Sequence, residues 1–67
     1  MLSARNQLKG TIKSVKLGSV MAEVVVQCGE FEIVAAITRG SAKTLKLKKG
    51  DQVQVVIKAT EVMVAKE

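Results

Sequence analysis

The fold of this chain is decided by residues 20–38, VMAEVVVQCGEFEIVAAIT. Two apolar runs of strand length flank the break Cys28-Gly29-Glu30-Phe31, which predicts a tight hairpin with glycine first in its loop, as a type II′ turn requires. The predicted strands run from about Val20 to Gln27 and from about Phe31 to Thr38. Parts of each strand carry apolar residues on both faces. Because the second apolar face also needs cover, we expect another subunit to pack on the outer face of the hairpin.

The chain before the hairpin predicts a first strand. Leu8, Gly10 and Ile12 alternate with polar residues, so one face of this strand should lie in solvent. Gly10 in the middle of the pattern predicts a sharp bend or a bulge, because a glycine inside a strand offers no side chain for packing. A turn at residues 17–19 then leads into the hairpin.

The chain after the hairpin predicts one helical turn and two more strands. Ser41 is placed to N-cap a single turn of helix over residues 42–45. A turn at residues 48–51 then precedes a fourth strand, whose apolar positions alternate with polar ones and are Val53, Val55 and Ile57. A short fifth strand is predicted at Val62-Met63-Val64.

These elements match one architecture, an all-β, five-stranded OB-type barrel with one short helical turn between strands 3 and 4. No proline, linker or internal repeat divides residues 1–67, which we therefore expect to be a single domain. A chain of this length buries only roughly 60% of its unfolded surface. Because Cys28 is the only cysteine and there is no histidine, neither a disulfide nor a structural zinc is available, and we expect oligomerisation to supply the missing stability.

The charge balance favours anionic partners. Eleven basic residues against six acidic ones give a net charge of +5, which attracts anions from a nucleic-acid backbone to a small dianion. Residues 1–6 lack the apolar core of a signal peptide, and no apolar run approaches the roughly 18 residues of a membrane span. Together with the unpaired cysteine, these features predict a cytoplasmic protein without a membrane partner.

The sequence lacks the residues that catalysis needs. There is no histidine, and Glu30 and Glu32 fit a solvated strand face better than an acid–base pair. Cys28 has no histidine partner to activate it, and the glycines do not form a phosphate-binding loop. We therefore predict a protein that is not an enzyme, with no catalytic residues, no bound metal cation and no cofactor.

Two kinds of anionic ligand remain. A small basic OB-fold is a common module for binding nucleic acid, but such sites stack bases on aromatic side chains, and Phe31 is the only aromatic residue. A small tetrahedral oxyanion instead needs several converging N–H and O–H donors with few cations. Such donors occur at residues 3–6, 38–41 and 58–60. We favour the oxyanion, and a nucleic-acid-binding module remains the alternative.

The sequence resembles a known protein family in three segments: SARNQLKG at residues 3–10, AITRGSA at residues 36–42 and KATEVMVA at residues 58–65. They are similar to the opening signature, the third-strand-to-helix junction and the final strands of the molbindins, also called Mop or TOBE-type domains. The resemblance covers essentially the whole chain. It implies non-catalytic binding of molybdate or tungstate at subunit interfaces, for intracellular storage or homeostasis of these metals.

The resemblance also implies an assembly and a set of site residues. The chain has no room for a DNA-reading or ATPase domain, so it is similar to the free-standing form of the family, a homo-hexamer arranged as a trimer of dimers. The oxyanion-binding positions that the resemblance implies are Ser3, Arg5, Thr38, Ser41, Lys58 and the backbone N–H of Ala59, where many members have serine. It gives no role to Arg39 and does not distinguish molybdate from tungstate.

Overall fold

The computed structural model describes residues 4–66. Ser3, one of the predicted oxyanion-binding residues, lies outside the described residues. In chain order the elements are β1 (Asn6–Leu17), β2 (Met21–Cys28), β3 (Phe31–Thr38), α1 (Arg39–Thr44), β4 (Gln52–Ile57) and a single 3₁₀ turn (Ala59–Glu61). No helix in this part of the chain is long and apolar enough to cross a membrane.

The long strand β1 organises the sheet. The strand order is β3-β2-β1-β4, and each neighbouring pair is antiparallel. β1 pairs with β4 through its first half, from Asn6 to Thr11, and with β2 through its second half, from Thr11 to Leu17. β1 therefore joins β4 to the β2–β3 hairpin in one sheet.

Gly10 lies where β1 exchanges partners. A Cβ atom at this position would lie 2.6 Å from the Cγ1 atom of Val26 and 2.7 Å from the carbonyl oxygen of Gln27. The bulge that the sequence predicts at Gly10 lies instead between Ile12 and Ser14, where the register with β2 shifts. Gly10 is required for a different reason, namely the close approach of β1 to β2, because any side chain here would overlap the backbone of β2.

The central hairpin forms as the sequence predicts. β2 and β3 pair along their full lengths and end at Cys28 opposite Phe31. Gly29 has a φ of +61°, and the residue that follows it has no positive φ. A two-residue loop with a positive φ at its first position alone has the pattern of type II′ and not of type I′.

The core is small and open on one side. Ile12, Val24 and Val26 are almost fully buried, and Cys28 packs beside them at the end of β2. The partly buried apolar side chains packed against them are Val15, Ile33, Ala35, Ile37, Leu47, Val53 and Val55. An apolar groove of about 420 Å³, lined by residues of both β3 and β4, remains open beside this core.

Residues 62–64 do not form the predicted fifth strand. β3 and β4 are the edges of the four-stranded sheet, and within residues 4–66 no further strand pairs with them. Val62, Met63 and Val64 are 49%, 93% and 94% exposed. A strand needs a neighbour for its N–H and C=O groups, and this segment follows the 3₁₀ turn without reaching an edge. The single chain is therefore an open sheet and not a closed barrel.

The helix begins earlier than predicted, because Thr38 and not Ser41 is its N-cap. Thr38 has the extended backbone of a cap, and its Oγ1 atom accepts a hydrogen bond from the Ser41 N–H at 3.1 Å. α1 therefore starts at Arg39, directly after β3. It ends before Lys46, whose left-handed φ of +54° turns the chain towards β4.

Candidate anion-binding site

Three of the predicted donors lie together at one end of the sheet. Asn6 of β1 is paired with Ile57 of β4, so the next residues outward, Arg5 and Lys58, are neighbours. Both are exposed. Lys58 lies one residue beyond β4, as the extended residue that precedes the 3₁₀ turn beginning at Ala59. We call Arg5, Lys58 and Ala59 the Lys58 group.

Two further predicted donors, Thr38 and Ser41, form a second group at the junction of β3 and α1. The Thr38 hydroxyl accepts a hydrogen bond from the Ser41 N–H and donates its own proton to Ser41 Oγ at 2.8 Å. The Ser41 hydroxyl thus receives one hydrogen bond and retains its proton for another acceptor. Of the two hydroxyls, Ser41 is consequently the one that is free to donate outward. We call these two residues the Thr38 group.

Arg39 holds this junction in a way that the sequence does not indicate. Its backbone N–H donates to the carbonyl oxygen of Val20 at 2.8 Å, and its Nη1 atom donates to the carbonyl oxygen of Gly18 at 3.0 Å. Both acceptors belong to the turn between β1 and β2. Arg39 carries no signal for this contact in the sequence, because its partners lie about twenty residues away and are backbone atoms.

Strand pairing places the two groups at opposite ends of β1. Arg5 precedes the first residue of this strand, whereas the strand's last residue, Leu17, leads into the turn that holds Arg39. β1 has 12 residues, and at roughly 3.3 Å per residue its ends would lie on the order of 35 Å apart if it were straight. The five predicted site residues that the structure describes are thus divided, within one chain, into two groups of donors.

The chemistry of both groups suits an anion and not a cation. Their functional atoms are N–H and O–H donors. No cluster of three histidine, cysteine or acidic side chains occurs within residues 4–66, so this part of the chain contains no obvious ligand set for a metal cation. The one ion pair found in the same range joins Lys13 to Glu32, away from both groups. The cations of the Lys58 group are therefore not neutralised by a carboxylate of the described chain.

An open β-sheet domain with donor groups at both ends has the character of a ligand-binding protein. The TOBE domain family matches residues 2–64, nearly the whole chain. The chain belongs to the TOBE domain family. This membership confirms the resemblance drawn from the three sequence segments, and it confirms the prediction that the chain is a binding protein and not an enzyme.

Similar proteins are named for the binding of molybdenum-pterin or of molybdate. Molybdenum-pterin-binding protein 3 of Clostridium pasteurianum is 44% identical over 64 residues, which are 94% of each chain. The structure of a molybdate-binding protein from Sporomusa ovata superposes with a TM-score of 0.95 at 44% identity and covers 98% of each chain. The molybdate-bound structure of ModG, described as a cytoplasmic molybdate-binding protein, has a TM-score of 0.83 at 42% identity over 87% of this chain and 42% of that one.

Proposed function

We propose that this protein binds molybdate or tungstate, without catalysis, at sites shared between its subunits, and that it serves intracellular storage or homeostasis of these oxyanions in the cytoplasm. The observation that carries the proposal is that the donors form two groups, which lie at opposite ends of β1 within one chain. Neither group alone surrounds a tetrahedral ligand. Two copies of the chain would complete the site if the Lys58 group of one met the Thr38 group of the other.

The two groups are chemically complementary. The Lys58 group supplies two cations, Arg5 and Lys58, which match the two negative charges of the oxyanion, together with the Ala59 N–H. The Thr38 group supplies the Ser41 hydroxyl, which Thr38 orients. Ser3, two residues before Arg5 in the sequence, is proposed as a further hydroxyl donor. Hydrogen bonds from charged donors are about twice as strong as neutral ones, so most of the affinity should come from the Lys58 group.

Assembly is proposed to close the barrel. The apolar groove lies open between the edge strands β3 and β4, and the apolar segment 62–64 is exposed. Insertion of this segment from a second copy would pair with the free backbone N–H and C=O groups of both edge strands, and its side chains would fill the groove. The outer face of the hairpin remains apolar at Val34, which is 61% exposed, and would pack against further copies. A hexamer built as a trimer of dimers accommodates both contacts.

The family does not favour the alternative, a nucleic-acid-binding module. The similar proteins described above are named for molybdenum-pterin or molybdate. Phe31 is exposed at the β2–β3 loop, but one aromatic side chain offers a single stacking platform. Molybdate is proposed as a ligand that is stored and released, and not as a catalytic cofactor.

Molybdate and tungstate are expected to bind well above sulfate and phosphate. All four are tetrahedral, but the metal oxyanions are larger, so a site fitted to them leaves the oxygens of sulfate short of some donors. Phosphate is partly protonated near neutral pH. Its P–OH group would therefore point a hydrogen-bond donor at the N–H and O–H donors of the site. Isothermal titration calorimetry with the four anions at one ionic strength tests the proposal. Equal affinities for all four would indicate only a generic basic surface.

The largest single side-chain contribution is expected from Lys58. Lys58→Ala should weaken molybdate binding by roughly tenfold to a hundredfold, about 1.5–3 kcal/mol, because a charged donor to a desolvated dianion is lost. The fold should survive, since this exposed residue lies outside β4. Lys49→Ala removes the same charge from the turn at the other end of β4 and serves as the control. Equal losses in the two variants, measured by calorimetry on assembled protein, would reject the assigned site.

A further inference from the structure

Arg39 fixes the start of α1 to the turn between β1 and β2 from two sides. Its backbone N–H reaches the carbonyl oxygen of Val20, and its guanidinium reaches the carbonyl oxygen of Gly18. The turn itself is closed by a 2.7 Å hydrogen bond from the Gly18 N–H to the carbonyl oxygen of Met21. Met21 is in turn paired with Thr38, the residue before Arg39. These contacts form a closed ring, which we call the Arg39 clamp.

The Arg39 clamp determines where the Thr38 group lies. α1 has six residues, and a helix of this length does not hold its shape without tertiary contacts. Ser41 is in the first turn of α1, so the direction of its hydroxyl depends on how that turn is anchored. Thr38 and Ser41 also share two hydrogen bonds, so a displacement of the helix start would move both hydroxyls together.

We propose that Arg39 is a positioning residue that sets the affinity and the anion selectivity of the oxyanion site by holding the Thr38 group through the Arg39 clamp. This inference rests on the proposed function. The guanidinium acts through its hydrogen bond to Gly18 and not through its charge. Loss of the clamp allows the donors to move. This lowers the affinity for molybdate, which fits the site, more than the affinity for sulfate, which fits it poorly. Loss of a charge alone would weaken both dianions alike.

Arg39→Met is compared with Lys43→Met to separate these effects. Methionine retains the unbranched stem in both variants, and Lys43 lies one turn further along the same helix, so each variant removes one cation near the Thr38 group. We expect Arg39→Met to weaken molybdate binding by roughly three- to tenfold and to lower the ratio of molybdate to sulfate affinity. Lys43→Met should leave this ratio unchanged. The inference is overturned if the two variants have the same ratio.

Replacement of Arg39 by citrulline gives a second, independent test. Citrulline is neutral but has nearly the same shape as arginine and keeps an NH₂ donor for the Gly18 carbonyl. The protein is accessible by chemical synthesis from two peptides joined at Cys28, the only cysteine. Wild-type molybdate affinity and selectivity in the citrulline protein support the clamp, and a loss of molybdate affinity of roughly threefold or more assigns the effect to charge and overturns it. This test stands even if Arg39→Met fails to assemble.

Failure of this inference is distinguishable from failure of the proposed function. If the wild-type protein binds molybdate no better than sulfate, the proposed function is wrong. If the wild-type protein is selective and the Arg39 variants are equally selective, only the role of Arg39 is wrong. Sedimentation velocity on every variant verifies that the titrations compare the same assembled state.

Discussion

Deletion of residues 62–67 is expected to convert the assembled protein into a monomer at micromolar concentration. In the proposed assembly, Val62 and Val64 enter the apolar groove of a second copy. Burial of one such side chain contributes roughly 1.5–3 kcal/mol. Because Val62 is 49% and Val64 94% exposed in the single chain, the two exchanged segments together contribute about 4 kcal/mol or more to a dimer, on the order of 10³ in its dissociation constant. Sedimentation equilibrium measures the change directly.

A shorter deletion provides the control for this experiment. Removal of Lys66 and Glu67 alone takes away one positive and one negative charge and leaves the apolar segment 62–64 in place. This variant should assemble like the wild type. A chain lacking residues 62–67 that still assembles normally would show that the groove is filled by something else. A wild-type chain that is monomeric at micromolar concentration would contradict the proposed assembly as a whole.

The part of the fold that the sequence predicts well is the part that local pattern determines. In the β2–β3 hairpin, the strand periodicity and the position of Gly29 both act within a few residues, and the structure confirms the strands and the loop. The same holds for β4, which alternates as predicted from Gln52 to Ile57. In each case neighbouring residues contain the information that fixes the element.

The differences arise where an element depends on a partner distant in sequence. The apolar segment 62–64 has strand character, but a strand needs an edge with which to pair, and the described chain does not bring it to one. The sequence pattern predicts the helix start at Ser41 because serine is a preferred N-cap; Thr38 is also a favoured N-cap residue and comes first along the chain. A glycine inside a strand pattern predicts a bulge at Gly10. Its actual role, the close contact with β2, depends on residues sixteen or more positions away.

From the sequence the candidate site is a list of residues, which stays a prediction, and the geometry of those residues is not predictable. Residues that strand pairing makes neighbours, such as Arg5 and Lys58, lie more than fifty positions apart in the sequence. The role of Thr38 as an acceptor from the Ser41 N–H follows from the helix start, which the sequence misplaced. The Arg39 clamp has no sequence signal at all, because backbone carbonyl oxygens are present at every residue.

Gly10→Ala is expected to cost about 3 kcal/mol or more of unfolding free energy, at the upper end of what overpacking costs. A Cβ atom at this position would lie 2.6 Å from Val26 Cγ1, 2.7 Å from Cys28 Sγ and 2.7 Å from the Gln27 carbonyl oxygen. Two of these contacts are with buried side chains of the core, and the third is with backbone. None can be relieved by rotating an exposed side chain, so β1 must move away from β2.

The effect should be large for this protein, since a short chain has little stability to lose. Gly40→Ala is the matched control: a Cβ atom there meets nothing within 4 Å, and the residue is helical. Alanine is favoured over glycine in a helix by roughly 0.5–1 kcal/mol, so this variant should be slightly stabilised. Urea denaturation followed by circular dichroism measures both changes. A Gly10→Ala protein as stable as Gly40→Ala would mean that β1 and β2 do not approach each other as closely as described. The position at which β1 changes its pairing from β4 to β2 would then be wrong.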